Sequence, residues 1–584
     1  MTGNKKTYIK LRIACVGILF FIMVFAVGAK AVYLQVFCGS WLSEKAAAQY
    51  EKAFVQKSKR GTIYDRNMHD MAVSIDATSV AAFPGRITDK KSAARQLSNI
   101  LKIDRKYLYR RLRANQNFIW VKRQVSPKEV DAIKAHNIKG VEFLPEYARV
   151  YPNKELAAQV IGFTGVDGNG LEGIEYIYDQ ALSGKERKYI VHKDALGRRF
   201  AKDKRSEGVG GMPLSSGNNI ILTIDRTIQY ITESALESSV MEFEATSGMA
   251  VVMNPSTGAI LALAHYPTFN PNVFNTYPRE LWRNRSITDP FEPGSTMKIF
   301  TAAAAMESGI CGPNTIFFCE NGAYKIGRNT IHDTHPRGWL SLQQIIKYSS
   351  NIGISKIMEV VGPETLYQSL IKFGFGDKTG LDCPGETSGS LASYNHWTTI
   401  DTSTIAFGQG ISVSAVQLIA AASSLANGGL LMKPYIVEAI TNGNGRIIRR
   451  TEPVIVRRTV RPETARAVNR IMQTVITEGG TGTNAALDGY IISGKTGTAQ
   501  KIDESRTYAN GKYVSSFMGI APAANPVAVI LVVIDEPQKA HYGGTVAAPA
   551  FRKIARETLQ YLNVPPENKN NGLQRASLKN EVDG

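Results

Sequence analysis

Three short stretches of this chain carry the residue types needed for acyl transfer through a serine. Ser295-Thr296-Met297-Lys298 sets a hydroxyl and an amine three residues apart. Ser349-Ser350-Asn351 adds a hydroxyl and a carboxamide, and Lys495-Thr496-Gly497-Thr498 adds a cation on a stretch of strand character. A serine hydroxyl alone is a poor nucleophile near neutral pH, so Ser295 needs a base in reach. Lys298 can be that base only when neutral. Burial and a second cation, Lys495, would both lower its pKa toward a useful value. Ser349 can relay a proton to the leaving amine, while Asn351 can orient the lysine and bind a substrate amide. Lys495 and Thr496, ahead of Gly497, suit a terminal carboxylate. The backbone N–H groups of Ser295 and Thr498 can stabilise a tetrahedral oxyanion, a contribution of about 3 kcal/mol per donor.

Each motif has a decoy in the chain. Ser369 to Lys372 also reads S-x-x-K, Ser393 to Asn395 reads S-x-N, and Lys378 to Gly380 reads K-T-G. Context selects the first set. Glu292-Pro293-Gly294 is a turn signal, and Ile299 to Met306 is an Ala-rich run that predicts a buried helix beginning at Ser295. Ser295 and Lys298 then lie one turn apart on one helix face, with Ser295 at the positive end of the helix dipole. Lys495 follows the apolar run Tyr490 to Ile492, whereas Lys378 lies in a glycine-rich loop.

The elements that must hold these groups read as an α+β domain. Strand Ile220 to Ile224 and helix Arg226 to Ser239 lead into a hairpin of Met249 to Met253 with Ala259 to Ala264. A helical block follows, then strands at Tyr490 to Ser493, Ser515 to Ile520 and Val527 to Ile534, and a final helix Ala550 to Leu562. Strands at both ends enclosing helices predict one antiparallel sheet covered by helices. Upstream, Trp41 to Gln56 reads as a helical stalk, Arg60 begins a region of short strands, and Lys90 to Gln116 reads as a helical insertion. Arg199 to Asn219 reads as a linker, and Pro565 to Gly584 as a disordered tail.

At 584 residues the chain allows about three or four domains. A formal charge of +19 suits a basic solvated surface, an anionic membrane face or an acidic polymer, and no nucleic-acid motif accompanies it. Lys5, Lys6, Lys10 and Arg12 precede an uncharged run from Ile13 to Ala29, which resumes after Lys30. This predicts an anchor over 13–36, with residues 1–12 cytoplasmic and the bulk of the chain outside. Ala29-Lys30-Ala31 loosely resembles a signal-peptide cleavage site, but the run is longer than a signal core, which favours an uncleaved anchor. Five cysteines do not suit a disulfide framework; a Cys311–Cys319 bridge stays open beside buried free thiols. His332 and His335 form an H-x-x-H without a further ligand cluster and read as loop surface.

With Arg60-Gly61, Asp65-Arg66, Arg149 with Tyr151-Pro152, Gly170 to Gly173, Lys193-Asp194 and Gly197-Arg198, the three motifs resemble a class B penicillin-binding protein. The resemblance is strongest to the division-specific transpeptidase of the FtsI type. Gly479 to Thr483 and Tyr542-Gly543-Gly544 also resemble family positions, while Met68, Gln159 and Ala415 depart from the pattern. The resemblance implies a β-rich pedestal (penicillin-binding protein dimerisation type) over 37–215, a transpeptidase domain over 216–562 and a tail over 563–584. It implies a peptidoglycan D,D-transpeptidase of the inner membrane that cross-links stem peptides, with Ser295, Lys298, Ser349 and Asn351 catalytic and Lys495, Thr496, Gly497 and Thr498 binding substrate. β-Lactams would be covalent inhibitors, no metal or organic cofactor is needed, and an FtsW-type glycosyltransferase and other division proteins would be partners. The alternatives are a D,D-carboxypeptidase or β-lactamase, an elongation-type transpeptidase, and a non-catalytic scaffold or sensor.

Overall fold

The computed structural model describes residues 3–39, 41, 51–184, 186–193, 199–200, 216–502 and 508–567. The expected linker and C-terminal tail fall largely outside them. The chain divides into two compact units, one drawn from Met1–Ser58 and Lys185–Ser215, the other from Lys59–Gly184 and Ser216–Gly584.

In the first unit, a helix over Gly3–Val32 continues as a π-turn over Tyr33–Phe37. Ile9–Phe37 is long and apolar enough to cross a membrane. The consecutive residues Leu19, Phe20, Phe21, Ile22 and Met23 are all exposed, so the helix is apolar on every face, as a lipid-solvated helix must be. The stalk expectation is corrected over its last residues. Glu51–Lys57 is a strand, paired antiparallel with Glu186–Lys193, which also pairs with Arg199–Phe200. Backbone bonds to a segment remote in sequence override the local helix preference of this stretch.

The second unit contains a sheet that joins strands from residues 63–150 to strands from residues 219–450. Its order runs Ile447–Arg450, Val437–Thr441, Asn219–Leu222, Ile63–Tyr64, Asp70–Ala82 and Ile119–Val125, and Val141–Val150 also pairs with Asp70–Ala82. The helical insertion is two helices, Lys90–Leu101 and Arg105–Arg113, because Lys102 turns left-handed at φ +57° and Asp104 caps a new start. Arg60 and Arg149 converge on the buried Glu175, each Nε donating to one carboxylate oxygen at 2.6 Å. These motif residues therefore hold the fold; a buried carboxylate needs such partners.

The part that carries the three motifs is built from α1 (Arg226–Glu242), β1 (Ser247–Met253), β2 (Ile260–Tyr266), α2 (Lys298–Glu307), β3 (Asn329–His332), β4 (Trp339–Ser341), α3 (Leu342–Tyr348), α4 (Asn351–Val361), β5 (Ser493–Ile502), β6 (Tyr508–Ala521), β7 (Ala528–Asp535) and α5 (Ala548–Tyr561). The five long strands form an antiparallel sheet in the order β2-β1-β7-β6-β5. Val251 and Leu531 face one helical layer with Met297 and Ile299; Val252 and Ile530 face another with Leu236 and Phe551. That two-sided burial explains the continuous apolar run of β7, in which only Asp535 escapes full burial. β5 is the open edge of this sheet, and it carries the third motif.

Candidate active site

The first motif folds as a 3₁₀ turn, Gly294–Met297, that runs into α2 at Lys298. Ser295 therefore sits one tight turn before the α-helix, a small correction to the expected helix start. Thr296 Oγ1 closes the turn by donating to the Pro293 carbonyl at 2.7 Å. Gly294, Thr296 and Met297 are buried, which leaves Ser295 as the half-exposed residue of the turn.

The second motif is the junction of two helices. α3 starts in a capping box between Ser341 and Gln344 and ends at Ser349, whose φ of +61° is left-handed. A non-glycine residue in that region costs roughly 1–2 kcal/mol, so the turn must be held by its surroundings. Ser350 then caps α4, its Oγ accepting from Gly353 N at 2.8 Å. Asp333, just after β3, accepts from Ser350 Oγ at 2.5 Å, Asn351 N at 2.5 Å and Ile352 N at 3.0 Å. A carboxylate on these first N–H groups is favoured by both hydrogen bonding and the helix dipole.

Lys298 is completely buried and donates all its hydrogen bonds to this junction: Ser349 O at 2.5 Å, Ser349 Oγ at 3.2 Å and Asn351 Oδ1 at 2.7 Å. Lys495 is also completely buried, and its Nζ donates to the same Ser349 Oγ at 3.0 Å and to the Thr496 carbonyl at 3.1 Å. Ser349 thus stands between two lysines. Burial lowers the Lys298 pKa to about 7, opposed by the attraction of Asp333. Burial, and then repulsion from Lys298, hold Lys495 well below the ordinary lysine range. Burial is thus the cause acting on Lys298, and the repulsion expected from Lys495 falls on Lys495 itself. Two ammoniums sharing one hydroxyl disfavour double charge, and the single carboxylate of Asp333 offsets this only in part.

β5 starts at Ser493, two residues before the third motif; of Tyr490 to Ile492, expected as strand, only Tyr490 pairs, in an isolated bridge with Leu487. Thr496 Oγ1 pairs with Thr481 Oγ1 at 3.0 Å, and Thr498 Oγ1 accepts from Gly543 N at 3.1 Å. Gly497 lies so close to the first motif that a Cβ would fall 2.2 Å from Ser516 Oγ and 3.0 Å from the Pro293 carbonyl. A glycine is required there for β5 to approach the Ser295 turn.

The structure therefore brings Lys298, Ser349, Asn351 and Lys495 into one hydrogen-bonded cluster beside the Ser295 turn and the Thr496 to Thr498 edge. The decoys stand apart: Ser369 and Lys372 belong to the helix Pro363–Lys372, Tyr394 to a 3₁₀ turn, and Thr379 donates to Glu386. Sequence reasoning missed Asp333, which lies between His332 and His335 with no spacing signal of its own. All five cysteines are free thiols, so the Cys311–Cys319 bridge is not formed. Among the described residues no group of three or more His, Cys, Asp or Glu could hold a metal ion. The cluster pairs a buried, neutralisable amine with a hydroxyl relay, which suits acyl transfer to and from a serine.

Comparison with known proteins agrees with this arrangement. The penicillin-binding protein transpeptidase domain matches residues 248–556, and the penicillin-binding protein dimerisation domain matches 55–216. A probable peptidoglycan D,D-transpeptidase PbpC of Pseudomonas aeruginosa is 35% identical over 97% of this chain and 98% of its own length. The peptidoglycan D,D-transpeptidase FtsI of Escherichia coli is 32% identical, covering 97% of this chain and 94% of the relative. The crystal structure of penicillin-binding protein 3 of Mycobacterium tuberculosis with aztreonam aligns with a TM-score of 0.69 at 28% identity, over 88% of this chain and 98% of that one. With both domains matched and relatives aligned over nearly their whole length, this chain belongs to the class B penicillin-binding proteins.

Proposed function

We propose that the protein is a peptidoglycan D,D-transpeptidase acting through an acyl-enzyme on Ser295. The observation that carries this is the convergence of Lys298 and Lys495 on Ser349 Oγ, at 3.2 Å and 3.0 Å. Lys298, with a pKa of about 7, is neutral in a large fraction of molecules near neutral pH. Neutral Lys298 takes the Ser295 Oγ proton as that oxygen attacks the D-Ala–D-Ala carbonyl carbon of a donor stem peptide. The N–H groups of Ser295 and Thr498 bind the oxyanion. Ser349 passes a proton to the departing D-Ala amine, the C–N bond breaks, and an ester to Ser295 remains. The amine of a second stem peptide then attacks this ester, and the reverse proton route restores the serine. β5 is an open edge, so an extended donor can lie along it with its terminal carboxylate at Lys495 and Thr496.

The relatives named FtsI, together with the stage V sporulation protein D of Bacillus subtilis, which is 32% identical over 94% of this chain, support a role in septal wall synthesis. The apolar N-terminal helix anchors the protein in the inner membrane. The positive charges of Lys5, Lys6, Lys10 and Arg12 orient its N-terminus to the cytoplasm and its bulk outside. In our reading, residues 37–215 form the pedestal, 216–562 the transpeptidase domain, and an FtsW-type glycosyltransferase supplies nascent glycan. A fluorescent fusion tests the division role: septal localisation is expected, and uniform side-wall labelling would assign the protein to elongation.

A further inference from the structure

Glu292 stands three positions before Ser295, half-buried and outside the lysine cluster. Its Oε1 accepts from Gly410 N at 2.8 Å. The Tyr508 hydroxyl of β6 lies against the same carboxylate, and burial together with that charge pushes the phenol up to about 12. Burial also raises the Glu292 pKa, and among the described residues no cation offsets it. A half-buried carboxylate without a cation is costly, and what this one holds is a backbone N–H.

Gly410 belongs to the connection between the helices Thr399–Ala406 and Ala415–Ala426. That connection is fastened to the chain both before and after Ser295. Phe291 N donates to Val413 O at 3.0 Å and Val413 N to Phe291 O at 2.9 Å, while Gly294 N donates to Gly408 O at 3.0 Å. Past the serine, Thr301 Oγ1 of α2 donates to Ala406 O at 2.7 Å. The approach is close enough that a Cβ at Gly408 would fall 2.1 Å from Gly294 O. Gly294 also meets β5, where a Cβ on it would fall 2.8 Å from Thr498 O. Gly294 is therefore in contact with both the connection and Thr498. The two N–H groups suited to an oxyanion belong to Ser295, the next residue, and to Thr498 itself.

We propose that Glu292 is a positioning residue for the oxyanion site. By holding Gly410 it keeps the connection seated on Gly294, and so fixes the Ser295 N–H relative to the Thr498 N–H. The inference rests on the transpeptidase reading above. Oxyanion donors act only when they are aimed in advance at the oxygen, so a small displacement of one of them slows the chemical step. Substrate binding before that step does not depend on their alignment in the same way. The task requires an acceptor that reaches Gly410 and requires no charge. An amide of the same length should therefore replace the carboxylate, and a side chain without an oxygen should not.

The test uses the full-length protein in detergent and stopped-flow acylation by a penicillin, which gives the limiting rate and the half-saturating concentration separately. Infrared spectroscopy of the acyl-enzyme reads the ester carbonyl, and thermal unfolding is followed for each variant. The wild type is measured first, and no acylation there would defeat the transpeptidase reading itself. Glu292→Met fills a similar volume without an oxygen. Its limiting rate should fall about 10- to 100-fold, with the half-saturating concentration kept within about twofold. Its ester carbonyl band should move to higher wavenumber, because the two donors hold the oxygen less well. Glu292→Gln should keep the wild-type band and a rate within about threefold. Should Glu292→Met not fold, Glu292→Asp takes its place: its carboxylate is one methylene short of Gly410, and its limiting rate should fall about fivefold. A wild-type limiting rate and carbonyl band in that variant, with only thermal stability lowered, overturns the positioning role. Equal losses in Glu292→Gln and Glu292→Met, or in Glu292→Gln and Glu292→Asp, overturn it as well.

Discussion

Lys298 Nζ donates to Asn351 Oδ1 at 2.7 Å, while Asn351 Nδ2 donates to the His332 carbonyl at 3.0 Å. The two bonds fix the amide orientation, so an uncharged oxygen faces the lysine. A carboxylate at this position would hold the ammonium form instead. Asn351→Asp should raise the Lys298 pKa by about one to three units and slow acylation at pH 7 by about 5- to 500-fold. The rate of penicillin acylation against pH checks this, and the rising limb should move to higher pH.

In the wild type, the sign of the pH dependence follows from burial. Lys298 sits at about 7, far below an ordinary lysine. The reactive base is the deprotonated form, so acylation should climb as pH rises through about 7 and level off above it. A rate that falls over that interval would be incompatible with a lysine base.

Asp333 acts on two properties in opposite directions. It holds the first N–H groups of α4, and it pulls the Lys298 pKa upward. Asp333→Asn should cost about 1–3 kcal/mol of stability through weakened capping. The same change should shift the acylation profile toward lower pH, because less negative charge faces Lys298. Thermal unfolding and the pH profile read the two effects separately, and an upward shift of the profile would contradict the electrostatic role.

Lys298 and Lys495 should respond differently to arginine. A guanidinium stays protonated, so Lys298→Arg should nearly eliminate acylation at every accessible pH. Lys495→Arg keeps a cation for the carboxylate and should retain weakened acylation. Equal losses in the two folded variants would undo the division into base and carboxylate clamp.

Lys495 carries a further consequence. Its pKa is low in the free enzyme because burial and Lys298 oppose its charge. An arriving carboxylate reverses that balance, so binding should draw a proton onto Lys495. Calorimetry of penicillin binding to Ser295→Ala in buffers of different ionisation heat should show net proton uptake over the pH range in which free and carboxylate-bound Lys495 differ in protonation. Net release would contradict it.

The candidate cluster of Lys298, Ser349, Asn351 and Lys495 was legible in the sequence where its parts are local. Ser295, Lys298, Ser349, Asn351 and Lys495 announce themselves by spacing and by flanking turns, and capping explains the junction at Ser349. Asp333 was not legible, because its role depends on a strand that places it against the start of α4 eighteen positions later. The strand Glu51–Lys57 reads as helix from its local sequence for a similar reason: its pairing with Glu186–Lys193 is invisible to local propensity. The sheet joining Ile63–Tyr64 to Asn219–Leu222 likewise links regions that composition separates. Burial decided the lysine chemistry, and burial of both Lys298 and Lys495 emerges only once α2, α4 and β5 are packed together.

In this mechanism Ser295, and no other serine, forms the acyl-enzyme. The direct measurement is peptide mapping by mass spectrometry after reaction of the full-length protein with penicillin. One added penicilloyl mass is expected on the peptide containing Ser295, lost in Ser295→Ala. An adduct on the peptide containing Ser369, or labelling that survives Ser295→Ala, would contradict it.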